Sequence, residues 1–406
     1  MARVKTEIAV ASNARAETPS DYRNVRPRVP ARPLLTSITD AAQPPNRLQV
    51  AAVTDLPHVA WLSNGRSAIA RAAQLAGVDS SSSVLVPAYH CESMAAPFAW
   101  LGARIAYYRI RPDLSVDLEH LLAIADSSTR LVLVPQYFGY LRSTRELHEL
   151  CRQRAWILVE DRAHAFFELG EADSVGRDSD YLVASSSKFF AAFDGGVLAS
   201  RHHPVPPAPR RPGFIAEIRT VINALEYAFE YGRMPRLRCL GSPLLELGRR
   251  IRPASESPHP SAGLASRFGG VEFEAESVEL QATRVAKWLA ARANRSAIAS
   301  ARRDNWLAMR ERLSRSPLLS FPFPELQSHT VPYVLPVEIP EPERVFPELK
   351  RRGVPVYRWE IPFETSAAEA CPISARFRRT LIQLPCHQGL IPAERNWIVD
   401  TLLALV

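Results

Sequence analysis

The sequence predicts an α/β protein: a large domain, whose mostly parallel sheet lies between helices, and a smaller C-terminal α/β domain. Two observations lead to this fold class. From about residue 84 to residue 200, short and continuously apolar runs alternate with amphipathic helical segments, the pattern of a parallel sheet covered on both faces. After a stretch rich in Pro and Ser at 252–263, helical and strand-like segments are mixed again, which indicates a second domain.

The expected domain boundaries follow from composition. Residues 1–57 are polar and punctuated by proline, as in the stretch RPRVPARP at 26–33, so they predict a disordered or extended leader outside the core. The large domain is expected over 58–250, a linker over 251–265 and the small domain over 266–406.

Each element of the large domain has its own signal. Asn64-Gly65-Arg66-Ser67 predicts a turn and a cap before an Ala-rich helix, and Ser143-x-x-Glu146 is a capping box. The expected strands are 84–87, 104–110, 130–135, 156–159, 181–184 and 197–199, and the expected helices include 68–75, 118–124 and one that ends near Arg154.

The C-terminal half gives longer helical signals. Apolar residues recur at helical spacing from Ile215 to Phe229, which indicates a packing face or a subunit interface. A long helical region is expected over 275–313, strands over 331–337, 354–357 and 380–384, and a last helix over 393–405.

Composition excludes several classes of protein. No apolar run reaches the roughly 18 residues of a membrane helix, and the five cysteines lack the close pairing of a disulfide framework or zinc site. We therefore expect no metal, no membrane contact and a reducing cytoplasm. The formal net charge is +8, but Lys and Arg are dispersed without interleaved aromatics, so we expect no nucleic-acid partner.

Polar residues collect where the expected strands end. These are Asn64–Ser67, Tyr89–Cys91, Gln136–Gly139, Asp161 and Ser185–Lys188. Ligands of parallel sheets bind at the carboxyl ends of strands. Five polar groups on one rim therefore predict a binding site there.

Lys188 suggests the chemistry of that site. It follows a buried strand and three serines, and desolvation favours the neutral, nucleophilic form of an amine. Ser185 lies three residues earlier, where its hydroxyl could hold a phosphate. Pyridoxal 5'-phosphate needs both an amine for its aldehyde and donors for its phosphate. Taken alone, the stretch is equally compatible with a surface lysine whose stem covers apolar surface.

Further residues fit the same cofactor. Asp161 ends a strand 27 residues before Lys188, and a carboxylate there can keep the pyridine nitrogen protonated. Gly65, Arg66 and Ser67 open a helix whose free N–H groups suit phosphate. His164 is expected near the ring, although a structural histidine remains the alternative. When an amino substrate displaces Lys188 from the cofactor, the freed amine can act as the base that moves a proton between the substrate's α-carbon and the cofactor.

These residues, in order, resemble one family. Gly65-Arg66-Ser67, Pro87-Ala-Tyr-His-Cys91, Tyr137-Phe-Gly139, Glu160-Asp161-Arg-Ala163-His164, Lys188 and Asp194-Gly-Gly196 resemble the DegT/DnrJ/EryC1/StrS sugar aminotransferases. That resemblance implies fold type I, a homodimer, covalent binding of pyridoxal phosphate by Lys188 and pairing of its ring nitrogen with Asp161. It implies phosphate binding by Gly65, Arg66, Ser67 and Ser185, and transfer of an amino group from glutamate to a nucleotide-linked keto sugar.

The sequence also departs from that family. Cys91 stands where the family has the aromatic residue that stacks on the ring, so we expect Tyr89 or His90 to replace it. No motif for the sugar nucleotide follows Lys188. Two alternatives therefore remain open: a pyridoxal-phosphate enzyme for a small keto acid or amino acid, and a non-catalytic, cofactor-binding regulator.

Overall fold

The computed structural model describes residues 27–36, 48–235, 273–360, 363, 364, 366 and 370–406. Its central sheet has seven strands in the order β2-β9-β8-β6-β5-β3-β4. The strands are β2 (His58–Leu62), β3 (Ser83–Pro87), β4 (Arg104–Tyr108), β5 (Thr129–Pro135), β6 (Ile157–Asp161), β8 (Tyr181–Ser185) and β9 (Gly196–Ser200). Two small sheets pair β1 (Val50–Ala52) with β7 (Phe167–Leu169), and β10 (Val334–Glu338) with β11 (Leu381–Pro385).

The sheet is parallel from β8 to β4 and antiparallel only where β9 pairs with β8 and β2. Strands β3, β8 and β9 are buried along their whole length, as their continuous apolar runs predict. The α/β fold class with a mostly parallel sheet is confirmed.

Helices join and cover these strands. They are α1 (Gly65–Leu75), α2 (Glu92–Trp100), α3 (Leu118–Ile124), α4 (Arg145–Arg154), α5 (Phe214–Glu230), α6 (Arg284–Arg292), α7 (Arg295–Leu313), α8 (Pro342–Arg351), α9 (Pro372–Thr380) and α10 (Pro392–Leu403). Helix α1 packs against α2, β8 and β9. In the described part of the chain, no helix combines the length and the apolar character needed to cross a membrane.

The C-terminal half differs in detail from its sequence pattern. The helical region expected over 275–313 is a short 3-10 turn at Ala275–Glu279 followed by α6 and α7. The helices are separate because Thr283 and Asn294 each cap a new N-terminus by accepting an N–H three residues ahead. The strand expected over 354–357 is wrong, since only Tyr357 forms a bridge there, to Gln383.

The expected leader also differs, because its described part packs against the folded body. Val29 and Leu34 are buried. Pro30 accepts a hydrogen bond from His387 Nε2 (3.0 Å), and the Ala31 N–H donates to the Tyr227 hydroxyl (2.9 Å). Residues 50–53 are also part of the core, so the fold begins before residue 58. The linker expected over 251–265 lies outside the described residues, and the domain boundaries stay predictions.

Candidate active site

The parallel register brings the predicted polar residues to one edge of the sheet. Pro135 pairs with Asp161, and Asp161 pairs with Val183, two residues before Ser185. The backbone of Gln136 also donates to the Asp161 carbonyl (2.9 Å). The carboxyl ends of β5, β6 and β8 are therefore neighbours, as ligand-binding edges of such sheets are.

Lys188 lies at the end of a 3-10 turn, Ser186–Lys188, directly after β8. The turn is closed by Ser186, whose N–H donates to the Gly195 carbonyl (2.9 Å) and whose hydroxyl donates to the Asp194 carbonyl (3.0 Å). Gly195 has φ +107°, and a side chain there would collide with Ser186. The glycines after Lys188 are thus required by the close approach of the two strand ends.

The Lys188 amine lies in a desolvated, mixed-charge environment. Burial lowers its pKa, while Cys91 and Asp161 oppose that shift. Nζ lies 5.4 Å from the centre of the Tyr333 ring. Since burial favours the neutral amine, Lys188 is prepared for nucleophilic and proton-transfer chemistry.

Asp161 provides a buried carboxyl group that interacts electrostatically with Lys188. Burial raises its pKa, and the Lys188 charge and the hydrogen bond from the Ala163 N–H to Oδ1 (2.8 Å) oppose this shift. Its other oxygen, Oδ2, receives no hydrogen bond from any residue that the structure describes. An acceptor oxygen left open on a buried residue suits a donor on a bound molecule.

His164 lies beside this pair in neutral form. Burial, and secondarily the Lys188 charge, hold its pKa well below the usual range. Its Nδ1 accepts the N–H of Phe138 (3.3 Å), so the ring proton is assigned to Nε2. The imidazole stacks on Tyr333 with ring centres 4.3 Å apart.

The N-terminus of α1 adjoins the lysine turn. A Cβ on Gly65 would lie 3.7 Å from the Ser185 Cβ, so the two residues are neighbours. In the described chain, no group accepts from the N–H of Gly65 or Arg66. Ser67 is different, because its N–H donates to Asn64 Oδ1 (2.9 Å) and its hydroxyl lies within 3.1 Å of three other oxygens. Gly65, Arg66 and Ser185 are therefore better placed for phosphate than Ser67 is.

Tyr89 and His90, one of which is expected to stack on the cofactor ring, make their contacts within the protein. Tyr89 is fully buried in an aromatic cluster with Trp359 (5.0 Å between ring centres). His90 stacks on Tyr107 (5.0 Å), with Nδ1 bonded to the Pro87 carbonyl (2.9 Å) and Nε2 accepting the Phe363 N–H (3.2 Å). Both nitrogens of His90 are thus already bonded within the protein.

Cys91, not Tyr89 or His90, faces the reacting groups. Burial raises the pKa of the Cys91 thiol, the Lys188 charge lowers it and Asp161 raises it. The residue that stands in place of the family's stacking aromatic is therefore beside the amine, but it is small.

A buried ionic network lies behind Asp161. Glu160 accepts from Arg162 Nε (2.8 Å) and Gln136 Nε2 (2.8 Å), and Arg162 also pairs with Glu168 (2.9 Å). All four charged or amide groups are buried or nearly so. Gln136 joins this network through its side-chain amide.

Three residues of the site were missed by sequence reasoning. Tyr333 precedes β10 and reaches the site because its N–H donates to the Phe138 carbonyl (2.9 Å). Arg302 donates to the Lys188 carbonyl (2.8 Å), and Arg378 donates to the Ala88 carbonyl (2.7 Å). Arg302 lies in the run Arg302-Arg303-Asp304-Asn305-Trp306, which stands out in the sequence. Tyr333 and Arg378 lie in distant segments, and no sequence spacing connects them to Lys188.

Comparison with known proteins identifies a matching family. Residues 48–204 match the model of the DegT/DnrJ/EryC1/StrS aminotransferase family, which confirms the resemblance that the motifs predict. The same match confirms an enzyme of the aminotransferase class, and the matched family depends on pyridoxal 5'-phosphate.

Solved structures of low identity share the fold. An aminotransferase, TlmJ, from Streptoalloteichus hindustanus is 22% identical, with 86% of this chain and 85% of that one covered and a TM-score of 0.57. The 3-amino-5-hydroxybenzoic acid synthase is 18% identical (87% and 88% covered, TM-score 0.57). A putative sugar aminotransferase, Spr1654, from Streptococcus pneumoniae is 14% identical (87% and 87% covered, TM-score 0.60). A search of curated proteins finds no match.

Proposed function

We propose that this protein uses Lys188 to bind pyridoxal 5'-phosphate and moves an amino group, from glutamate, to a nucleotide-linked keto sugar in polysaccharide or natural-product biosynthesis. One observation carries the proposal: the Lys188 amine and the Asp161 carboxylate, both at the carboxyl edge of a parallel sheet, interact electrostatically. The sugar acceptor is supported by the family and by the sugar aminotransferase among the similar structures.

The residues present fit the cofactor. Asp161 Oδ2 is open for the protonated ring nitrogen, and the N–H groups of Gly65 and Arg66 are open for the phosphate. Ser185 would add its hydroxyl, which otherwise contacts Ser187 (3.2 Å). Lys188 offers an amine whose pKa is lowered by burial. Each group of the cofactor thus has a partner of matching chemistry.

Each residue then has a defined task. Bound pyridoxal phosphate supplies an aldehyde that condenses with amines and a ring that accepts electrons from the substrate's α-carbon. Lys188 Nζ, whose pKa is lowered by burial, would accept the α-carbon proton and return it. Asp161 would hold the cofactor's ring nitrogen in its protonated form. His164 would donate a hydrogen bond from Nε2 to the cofactor, while the Phe138 N–H fixes the orientation of the imidazole.

The homodimer and the cytoplasmic location expected from the sequence belong to the same proposal. The family resemblance supports the dimer, and light scattering on the purified protein tests it.

Half-reactions test the proposal directly. Protein loaded with pyridoxal phosphate should lose its visible absorbance when glutamate is added, and keto acids or keto sugars should restore it. The Lys188→Ala variant should show neither change. Restoration by sugar nucleotides supports the acceptor proposed here, and restoration only by small keto acids favours the alternative substrate. A protein that takes up no added cofactor contradicts the proposal.

A further inference from the structure

Arg302, in α7, lies directly behind the lysine turn. The residue is fully buried, and every one of its hydrogen bonds goes to a neutral oxygen. Nη2 donates to the Lys188 carbonyl (2.8 Å), Nη1 donates to the carbonyls of Pro332 (3.1 Å) and Tyr333 (3.3 Å), and Nε donates to Gln388 Oε1 (2.9 Å).

Two of these acceptors belong to Lys188 and to a residue whose ring lies near its amine. One is the backbone of Lys188 itself. Another is the backbone of Tyr333, whose ring lies 5.4 Å from Nζ and stacks on His164. The guanidinium also lies 4.3 Å from the centre of the Phe189 ring. One planar group therefore ties the lysine turn to the segment that borders its amine.

Gln388 strengthens this arrangement from a third segment. It accepts from Arg302 Nε (2.9 Å), and its own Nε2 donates to the Phe189 carbonyl (2.7 Å). The carbonyls of two successive residues, Lys188 and Phe189, are thus held by side chains that are bonded to each other.

Stability alone does not account for a buried arginine here. Within the described ranges, no carboxylate forms an ion pair with Arg302, and burial lowers its pKa to about 10. A buried charge without a counter-ion is unfavourable, and a well-packed apolar residue commonly serves stability better. What arginine offers instead is a rigid fork of donors in fixed geometry.

We propose that Arg302 is a positioning residue: its fork holds the backbones of Lys188 and Tyr333 together and so sets where Nζ lies relative to Asp161. This inference rests on the proposed function for its catalytic meaning. It concerns the placement of the amine, however, which can be measured without turnover.

Labelling of the Lys188 amine tests the inference. The full chain, freed of cofactor, is acylated with trace acetic anhydride across a pH series, and the Lys188 peptide is quantified by mass spectrometry. In Arg302→Met and Arg302→Lys the labelling midpoint should rise by about one pH unit, because a released turn lets the amine reach water. Capture of added pyridoxal phosphate should slow by about 10²-fold, the usual effect of a misplaced reacting group.

Arg303 provides the matched control. It is the next residue of α7 and also donates to backbone carbonyls, those of Gln327 (2.9 Å) and Thr330 (2.6 Å), away from the lysine turn. Arg303→Met should leave the labelling midpoint and the capture rate unchanged. Equal shifts of the labelling midpoint in Arg302→Met and Arg303→Met would show a general loosening of α7 and overturn the inference.

The remaining outcomes are also decisive. A folded Arg302→Met with wild-type labelling and capture overturns the inference, and so does full rescue by Arg302→Lys, since charge rather than the fork would then matter. If Arg302→Met fails to fold, Gln388→Leu should shift the midpoint in the same direction by a smaller amount, and no shift refutes the inference. A wild-type protein that captures no cofactor refutes the proposed function and leaves the labelling result valid.

Discussion

Replacing Gly196 by alanine should destabilise the protein through the start of α1, where phosphate binding is proposed. A Cβ at this position would lie 2.0 Å from the Asn64 carbonyl oxygen and 2.9 Å from the Gly65 nitrogen. Ordinary contacts begin at 3.4 Å, so β9 and the start of α1 would have to separate by about 1.4 Å. Overpacking of this kind costs about 1–3 kcal/mol, and a disturbed Asn64 cap adds about 1 kcal/mol.

Urea denaturation of Gly196→Ala and Gly65→Ala measures this difference. Gly65→Ala is the control, because its Cβ would make only ordinary contacts, with Ser185 at 3.7 Å and the Ala184 carbonyl at 3.9 Å. We expect Gly196→Ala to be less stable than Gly65→Ala by about 2–4 kcal/mol. Equal free energies of unfolding in the two variants would refute the reasoning.

Three further results are expected. Asp161→Asn should weaken binding of pyridoxal phosphate by about tenfold or more, measured by absorbance titration, because the amide cannot carry the charge that holds a protonated ring nitrogen; an unchanged dissociation constant would contradict this. Arg162→Met should lower the free energy of unfolding by about 3–5 kcal/mol, since it leaves buried carboxylates unpaired, and a wild-type urea midpoint would show otherwise. Burial lowers the pKa of His90 and His387 from 6.5 to about 3, so the unfolded chain binds these protons first and stability falls as the pH drops below about 6.5. Each histidine should lower the free energy of unfolding by about 2 kcal/mol between pH 7 and pH 5. In His387→Gln the decrease over this pH range should be smaller by that amount. An unchanged pH dependence in this variant would contradict the prediction.

Periodicity predicted the sheet because its strands are buried on both faces. Continuous apolar runs such as Leu131–Val134 are typical of central strands in a covered sheet. The same reasoning located Asp161 and Lys188, since their positions after strands bring them to one edge. Local pattern and tertiary structure agree here because the strand ends are fixed by the sheet itself.

Other parts of the site depend on contacts between distant segments. Arg302 and Lys188 are 114 residues apart, and Tyr333 reaches His164 through a hydrogen bond to Phe138. The leader was expected outside the core because proline and arginine dominate it, but Val29 belongs to the main hydrophobic cluster and Leu34 is buried beside Gly389. No local propensity contains such information.

Borohydride reduction of the cofactor-loaded protein, followed by peptide mapping, tests the central claim most directly. Reduction makes the bond between the cofactor and its amine permanent, so the modified peptide identifies the residue. The account predicts one adduct, on Lys188, that is absent from Lys188→Ala. An adduct on any other lysine, or none, would contradict it.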